Sequence, residues 1–254
     1  MTTSELLLID LSSLAHPLYH MSGNEPDPNW TSNQIVARVR ALSSQHPHTA
    51  ICCDSGKSFR HDLAPRVSVG EGKYEGYKAN RPERDARLTH QIDTAIARLR
   101  EDGYPIWKAE NAEADDVIAT ATAKALAIDG ATVLIATADK DLLQLVNDRV
   151  RVKNVAPNAN GEVRDVEAVV AKFGVRPDQM LDWLCLVGDS SDNVKGANGV
   201  GAVKATELLR AQGTLRSVYE AINNGVVKGI TPALRTNLME FRERWPLTRQ
   251  LIAL

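Results

Sequence analysis

Short apolar runs alternate with helix-patterned stretches through the first two thirds of this 254-residue chain. Residues 6–10 are apolar up to Asp10, as in a strand covered on both faces of a parallel sheet. Residues 48–54 read as a second strand, 105–107 as a short third and 132–137, rich in β-branched residues, as a fourth. Between them the spacing predicts helices over 31–44, 88–99, 113–128 and 142–146. Val150 and Val152 alternate, and Asn160-Gly161 supplies a turn that returns the chain through Val163. Strands separated by helices imply an α/β fold with a mostly parallel central sheet.

From about Asp165 the pattern is helical only. Asp165 is placed to cap 166–173, with Gly174 as its stop. Pro177 suits the first position of a helix over 177–187, and Gly188 ends it. A glycine-rich turn at 196–201 leads into 202–211, Thr214 caps a helix to about Asn223, and 232–245 is the last. The expected organisation is an α/β core over 1–164 and a helical subdomain over 165–254.

Composition removes several classes. Hydrophobic residues make up 43%, too many for a disordered chain. No apolar run approaches the ~20 residues of a membrane span. The start, Met-Thr-Thr-Ser-Glu, has no basic or long apolar leader, so the expected location is cytoplasmic. Cys52, Cys53 and Cys185 lack disulfide or zinc spacing and read as buried thiols. The net charge of −2 argues, at first sight, against a nucleic-acid partner.

The acids are unevenly placed. Asp10 ends the first strand and Asp54 the second; Glu113, Asp115 and Asp116 open a helix; Asp139 and Asp141 follow the 132–137 strand. Parallel strands share one C-terminal edge, so these seven carboxylates converge on one rim. Any one alone reads as a helix cap or a solvated charge. Together, without cysteine or histidine, they suit hard divalent cations such as Mg²⁺ or Mn²⁺. Asp189 and Asp192 lie in a helix exit, Gly188-Asp189-Ser190-Ser191-Asp192-Asn193, where turn residues are ordinary.

Two stretches remain. Residues 56–87 show little periodicity and carry eight Lys or Arg against five acids. The hairpin Val194-Lys195-Gly196-Ala197-Asn198-Gly199-Val200-Gly201 precedes a helix and lacks the Gly-Lys-Ser/Thr ending of a P-loop. Helix, glycine turn and helix suit backbone N–H approach to phosphates, with Lys195 and Lys204 adding charge.

Together these residues resemble the flap endonuclease (5′-nuclease) family, which includes the N-terminal nuclease domain of bacterial DNA polymerase I and stand-alone phage and bacterial enzymes. The resemblance rests on Tyr77-Lys78-Ala79-Asn80-Arg81-Pro82, Glu113-Ala114-Asp115-Asp116-Val117-Ile118, Thr137-Ala138-Asp139-Lys140-Asp141 and the Gly188–Asn193 turn with its hairpin. It implies a PIN-like core with a helix–three-turn–helix subdomain, and two-metal hydrolysis of DNA phosphodiesters. It places Asp10, Asp54, Glu113, Asp115, Asp116, Asp139, Asp141, Asp189 and Asp192 on metal ligands, the first five at the tighter site. It makes Lys78 and Arg81 contacts of the scissile phosphate and Tyr77 an aromatic stacking near it. Arg60 and Arg84 become strand-guiding residues on a helical arch at 56–87. Lys195, Gly196, Gly199, Gly201 and Lys204 become duplex contacts, with K⁺ at the hairpin. The expected partner is DNA with 5′ flaps, nicks or gaps, met by a monomer that cooperates with a separate polymerase. The hairpin carries Lys195 where a proline is common, and the basic segment includes Gly70-Glu71-Gly72. The ending Gln250-Leu251-Ile252-Ala253-Leu254 resembles a sliding-clamp peptide, for which a buried family segment is the competing reading. Two other functions fit parts of the pattern: a catalytically weak DNA-junction binder and a PIN-type ribonuclease. The nine acids favour catalysis over the first, and the length and hairpin disfavour the second. With nine acids assigned to one site, 23 remain against 30 basic residues, so the near-neutral total conceals a basic surface.

Overall fold

The computed structural model describes residues 4–23, 27–70, 73–226 and 230–254. In chain order its elements begin β1 (Glu5–Asp10), α1 (Leu11–Ser22), α2 (Trp30–Ser43), β2 (His48–Cys52), α3 (Phe59–Leu63), β3 (Val67–Gly70), β4 (Lys73–Glu75) and α4 (Ala86–Glu101). There follow β5 (Ile106–Trp107), α5 (Ala114–Leu126), β6 (Thr132–Thr137), β7 (Val150–Asn154), β8 (Val163–Arg164), α6 (Val166–Phe173) and α7 (Met180–Val187). The last are β9 (Gly188–Asp189), β10 (Val194–Lys195), α8 (Ala202–Gln212), α9 (Leu215–Asn223) and α10 (Pro232–Ile252). The chain divides into two compact units, Met1–Ser58 with Glu83–Asp165, and Phe59–Pro82 with Val166–Leu254.

The first unit is built on a six-stranded sheet of order β5-β2-β1-β6-β7-β8. Every pairing is parallel except that of β7 with β8. The parallel α/β reading is therefore borne out, and it brings the ends of β1, β2 and β6 to one edge. Leu7, Ile9 and Ile51 are fully buried and pack against Ile35 and Val39 of α2 and Ala95 and Leu99 of α4. Each such side chain contributes roughly 1.5–3 kcal/mol. Helix α4 buries Leu88, Gln91, Ala95 and Leu99, the three-and-four spacing of one helical face. Helix α1 was not anticipated, because Pro17 lies inside it. It forms because Asp10 caps it and Leu11, Leu14, Ala15 and Leu18 are buried. The expected helix at 142–146 is a 3₁₀ turn over Asp141–Leu145. Asn160 and Gly161 do take positive φ, at 48° and 69°, in the connection between β7 and β8.

In the second unit the helices bury Trp183 and Leu184 of α7, Leu208 and Leu209 of α8, Val218 and Ile222 of α9, and Leu238 and Phe241 of α10. Thr214 Oγ1 accepts from Ser217 N at 3.1 Å and caps α9 as expected. The helix expected over 177–187 begins as a 3₁₀ turn, Pro177–Gln179, before α7. Helix α10 runs through Pro246 to Ile252, seven residues beyond expectation, because Thr248, Leu251 and Ile252 are buried on its final turns. This corrects the sliding-clamp reading: Leu251 and Ile252 belong to the packed helix and offer no free peptide.

The basic stretch also differs from expectation. Within 56–87 the described residues contain one five-residue helix, α3, and an antiparallel pair, β3 with β4, not a helical arch. Val67 and Val69, two β-branched residues at alternate positions, favour the strand. Glu71 and Gly72 of the Gly70-Glu71-Gly72 stretch lie outside the described residues.

Candidate functional site

The rim of the first unit collects carboxylates as the strand ends dictate. Asp10 is 4% exposed and caps α1. Its Oδ2 accepts from Ser13 Oγ at 2.5 Å and from Thr137 Oγ1 at 2.9 Å. Asp54 lies two residues past β2, and its Oδ1 accepts from Ala114 N at 2.9 Å at the start of α5. Its Oδ2 accepts from Ser12 Oγ at 2.5 Å and lies 3.8 Å from the Arg84 guanidinium. Asp139 Oδ1 accepts from Asp141 N at 2.9 Å, and Asp141 Oδ1 lies 3.5 Å from Lys140 Nζ. A concavity of about 360 Å³ opens beside this rim, lined in part by Ser12, Ser13, His16, Asp139 and Lys140.

Electrostatics shows which acids meet. Burial pushes Asp10 up to about 6, with Asp54 adding repulsion and the Ser13 and Thr137 hydroxyls opposing it. Burial also holds Asp115 well above the usual carboxylate range, and Asp10, Asp139, Asp141 and Asp54 each raise it further. Five carboxylates from four strand-end segments thus share one field. Glu113 and Asp116 are committed differently. They form a reciprocal capping box on α5, in which Asp116 Oδ2 accepts from Glu113 N at 2.9 Å. Among the described residues no three His, Cys, Asp or Glu side chains stand ready as a closed metal cage. An all-oxygen set with this much mutual repulsion fits hard cations that keep part of their water shell, as Mg²⁺ does. Burial raises the Cys53 thiol to about 12 and the Cys52 thiol as well, so neither competes as a soft ligand.

Asp189 and Asp192 lie in the second unit. Asp189 Oδ1 accepts from Ser191 N at 2.7 Å, which closes the turn after β9. Asp192 is gripped by the basic segment: Tyr77 Oη donates at 2.8 Å, Arg81 at 2.5 Å, and Lys78 Nζ lies 3.7 Å away. The backbone repeats the link, with Lys78 N donating to Asp192 O at 2.8 Å. Lys78 takes φ of 52°, a left-handed conformation uncommon for lysine, and its ammonium sits 4.8 Å from the Tyr77 ring centre.

Several assignments change. Arg60 is 2% exposed; its Nε and guanidinium donate to Leu251 O and Ala253 O, both at 2.9 Å, at the C-terminus of α10. It is a buried anchor, not a strand-guiding residue. Tyr77 is 3% exposed and edge-on to His61, so its ring is no open stacking platform. Gly196 has no room for a side chain: an added Cβ would lie 2.4 Å from Leu186 O. Its role is close packing of the hairpin against the end of α7. Gly199 takes φ of 74°, and Gly201 caps α8 with open space around it. Lys195 pairs with Glu75 and Lys204 with Glu207, both at the surface. The sequence assigns no role to Ser12 or Ser13, and places Thr137 in a motif without giving it one. Their signal was the Ser-Ser pair after Asp10 and a threonine at the end of β6.

Comparison with known proteins bears on the family and the fold. The N-terminal resolvase-like domain of the 5′-3′ exonuclease family matches residues 5–174. Its C-terminal SAM fold matches residues 175–254. DNA polymerase I of Pseudomonas aeruginosa is 33% identical over 261 residues, covering 99% of this chain and 27% of the polymerase. The chain thus spans about a quarter of the length of that relative. A 5′-3′ exonuclease of Aquifex aeolicus is 40% identical over 157 residues, 62% of this chain and 53% of that protein. Among solved structures, the bacteriophage T5 D15 protein co-crystallised with metal ions has a TM-score of 0.77 at 20% identity, over 98% of this chain and 89% of the other. The catalytic core of Rad2 in complex with DNA has a TM-score of 0.62 at 17% identity, over 98% of this chain and 78% of the other. These two likenesses concern the fold.

Proposed function

Since the chain belongs to the 5′-3′ exonuclease family, we propose that it is a metal-dependent 5′ nuclease that cuts DNA flaps, nicks and gaps. The observation that carries this reading is the shared field of Asp10, Asp54, Asp115, Asp139 and Asp141 at the sheet edge. These five side chains would hold Mg²⁺ or Mn²⁺, with Glu113 and Asp116 at the margin. Such cations, when bound, activate water and offset charge on the leaving 3′ oxygen.

The chain's own residues do the rest. Ser12 and Ser13 orient Asp54 and Asp10 through their hydroxyls. Lys78 and Arg81 would exchange Asp192 for a phosphate oxygen, since both already grip an anionic oxygen there. Tyr77 holds Asp192 in place for that exchange. Arg84 would meet the strand beside Asp54. Gly199, Gly201 and the N-terminus of α8 would approach duplex phosphates, with Lys195 and Lys204 alongside. Carbonyls of the same hairpin would take K⁺. Asp189 and Asp192 are proposed as carboxylates of the same class from the helical unit.

We expect a monomer that works in replication or repair beside a separate polymerase. No described helix is long and apolar enough to cross a membrane. A labelled 5′-flap substrate with Mg²⁺ tests the reading. Cleavage near the flap base supports it; binding in Ca²⁺ without any product in Mg²⁺ would favour a junction binder instead.

A further inference from the structure

Two hydroxyls beneath the rim do a job that the carboxylates alone cannot. Ser13 Oγ and Thr137 Oγ1 both donate to Asp10 Oδ2, at 2.5 and 2.9 Å. The hydroxyls lie 3.0 Å apart. Each carries a single proton, and both protons are directed to Asp10, so that separation is a contact and not a third bond. Each oxygen also accepts a backbone N–H from the loop after β6: Ala138 N reaches Ser13 Oγ and Asp139 N reaches Thr137 Oγ1, both at 3.0 Å. Asp139 Oδ1 then accepts Asp141 N at 2.9 Å. One hydrogen-bonded chain therefore joins the end of β1 to the acidic loop that follows β6.

This leaves the two oxygens of Asp10 unlike. Among the described residues, Oδ2 receives two O–H donors, whereas Oδ1 receives only the long 3.3 Å contact from Ser13 N. From this asymmetry we infer that Ser13 and Thr137 are positioning residues, which saturate Oδ2, present Oδ1 to a divalent cation and lock Asp139 in register with it. Removing either hydroxyl frees Asp10 to rotate and loosens the Asp139 loop. Partners that hold a ligand in this way typically matter about 10–100-fold in metal affinity. The inference rests on the metal reading above.

The test is Mn²⁺ binding to the full chain without DNA, by calorimetry and by the paramagnetic resonance of the bound ion. Thr137→Val keeps the shape and removes the hydroxyl, Thr137→Ser restores it, and Ser13→Ala removes the other. The valine and alanine variants should each bind Mn²⁺ at least about tenfold more weakly. The double variant should lose less than the product of the two, since both act on one oxygen. Thr137→Ser should bind within about threefold of the parent, which separates the hydroxyl from mere packing. Thermal unfolding checks that each variant is folded, and should one fail to fold, the other decides. Valine and alanine variants that fold and bind Mn²⁺ as the parent does would overturn the inference, as would a serine variant as weak as the valine. A parent chain that binds no Mn²⁺ would instead overturn the metal reading itself.

Discussion

Replacing Arg60 by alanine should weaken the helical unit without removing a phosphate contact. The guanidinium is buried and donates to Leu251 O and Ala253 O, which face it at the C-terminal end of α10. A hydrogen bond from a charged donor contributes about 1.5–3 kcal/mol, and truncation also leaves two carbonyls and a cavity behind. The cost should be about 3–5 kcal/mol. For a chain of this size that lowers Tm by about 6–20 °C. Arg60→Lys keeps the charge but not the two-pronged geometry, and should recover about half. Thermal unfolding by circular dichroism reads the first effect. The salt dependence of DNA affinity reads the second: loss of a phosphate contact lowers the slope of log K against log salt by about one, whereas loss of a buried anchor does not. An Arg60→Ala protein with an unchanged Tm and a slope reduced by one would refute the anchor.

The hairpin glycines should separate cleanly. Gly196→Ala drives a Cβ into the backbone of Leu186, Val187 and Gly188 and should lower Tm sharply, whereas Gly201→Ala meets nothing within 4 Å and should melt like the parent. Lys78→Ala should slow single-turnover cleavage far more than it weakens duplex affinity; an unchanged rate with lower affinity would remove its role in the chemistry. In EDTA, the raised Asp10 carboxyl sets a pH dependence. The folded chain keeps this proton up to about pH 6 while the unfolded chain releases it near 4, so raising the pH through that window favours unfolding. Asp10→Asn should therefore gain stability over the parent from pH 4 to 6, by about 3 kcal/mol; a constant gap in urea unfolding would contradict the shift.

What the sequence disclosed was local. The apolar runs of β1 and β6 and the acids at their ends can be read within ten residues, and they suffice for the parallel sheet and its acidic rim. Helix α1 escaped because Pro17 opposes helix locally, while the burial that outweighs it comes from packing on α2 and α4, distant in sequence. Arg60 looked like any basic residue in a charged stretch, because its partners lie 191 and 193 positions away. Tyr77 and Gly196 suffered the same way: the motif identified them, but their burial depends on Asp192, His61 and the end of α7. The basic segment hid its β3–β4 pair because short exposed strands lack an apolar face to mark them.

If the rim carboxylates hold the cations that cut DNA, the chemistry should fail without Asp115. Cleavage of a 5′-flap duplex by the parent and by Asp115→Asn, in Mg²⁺ and in Mn²⁺, tests it most directly. The parent should cut near the flap base, and a folded Asp115→Asn protein should not cut. A fully active Asp115→Asn protein, or a parent that cuts an RNA hairpin faster than the flap, would contradict it.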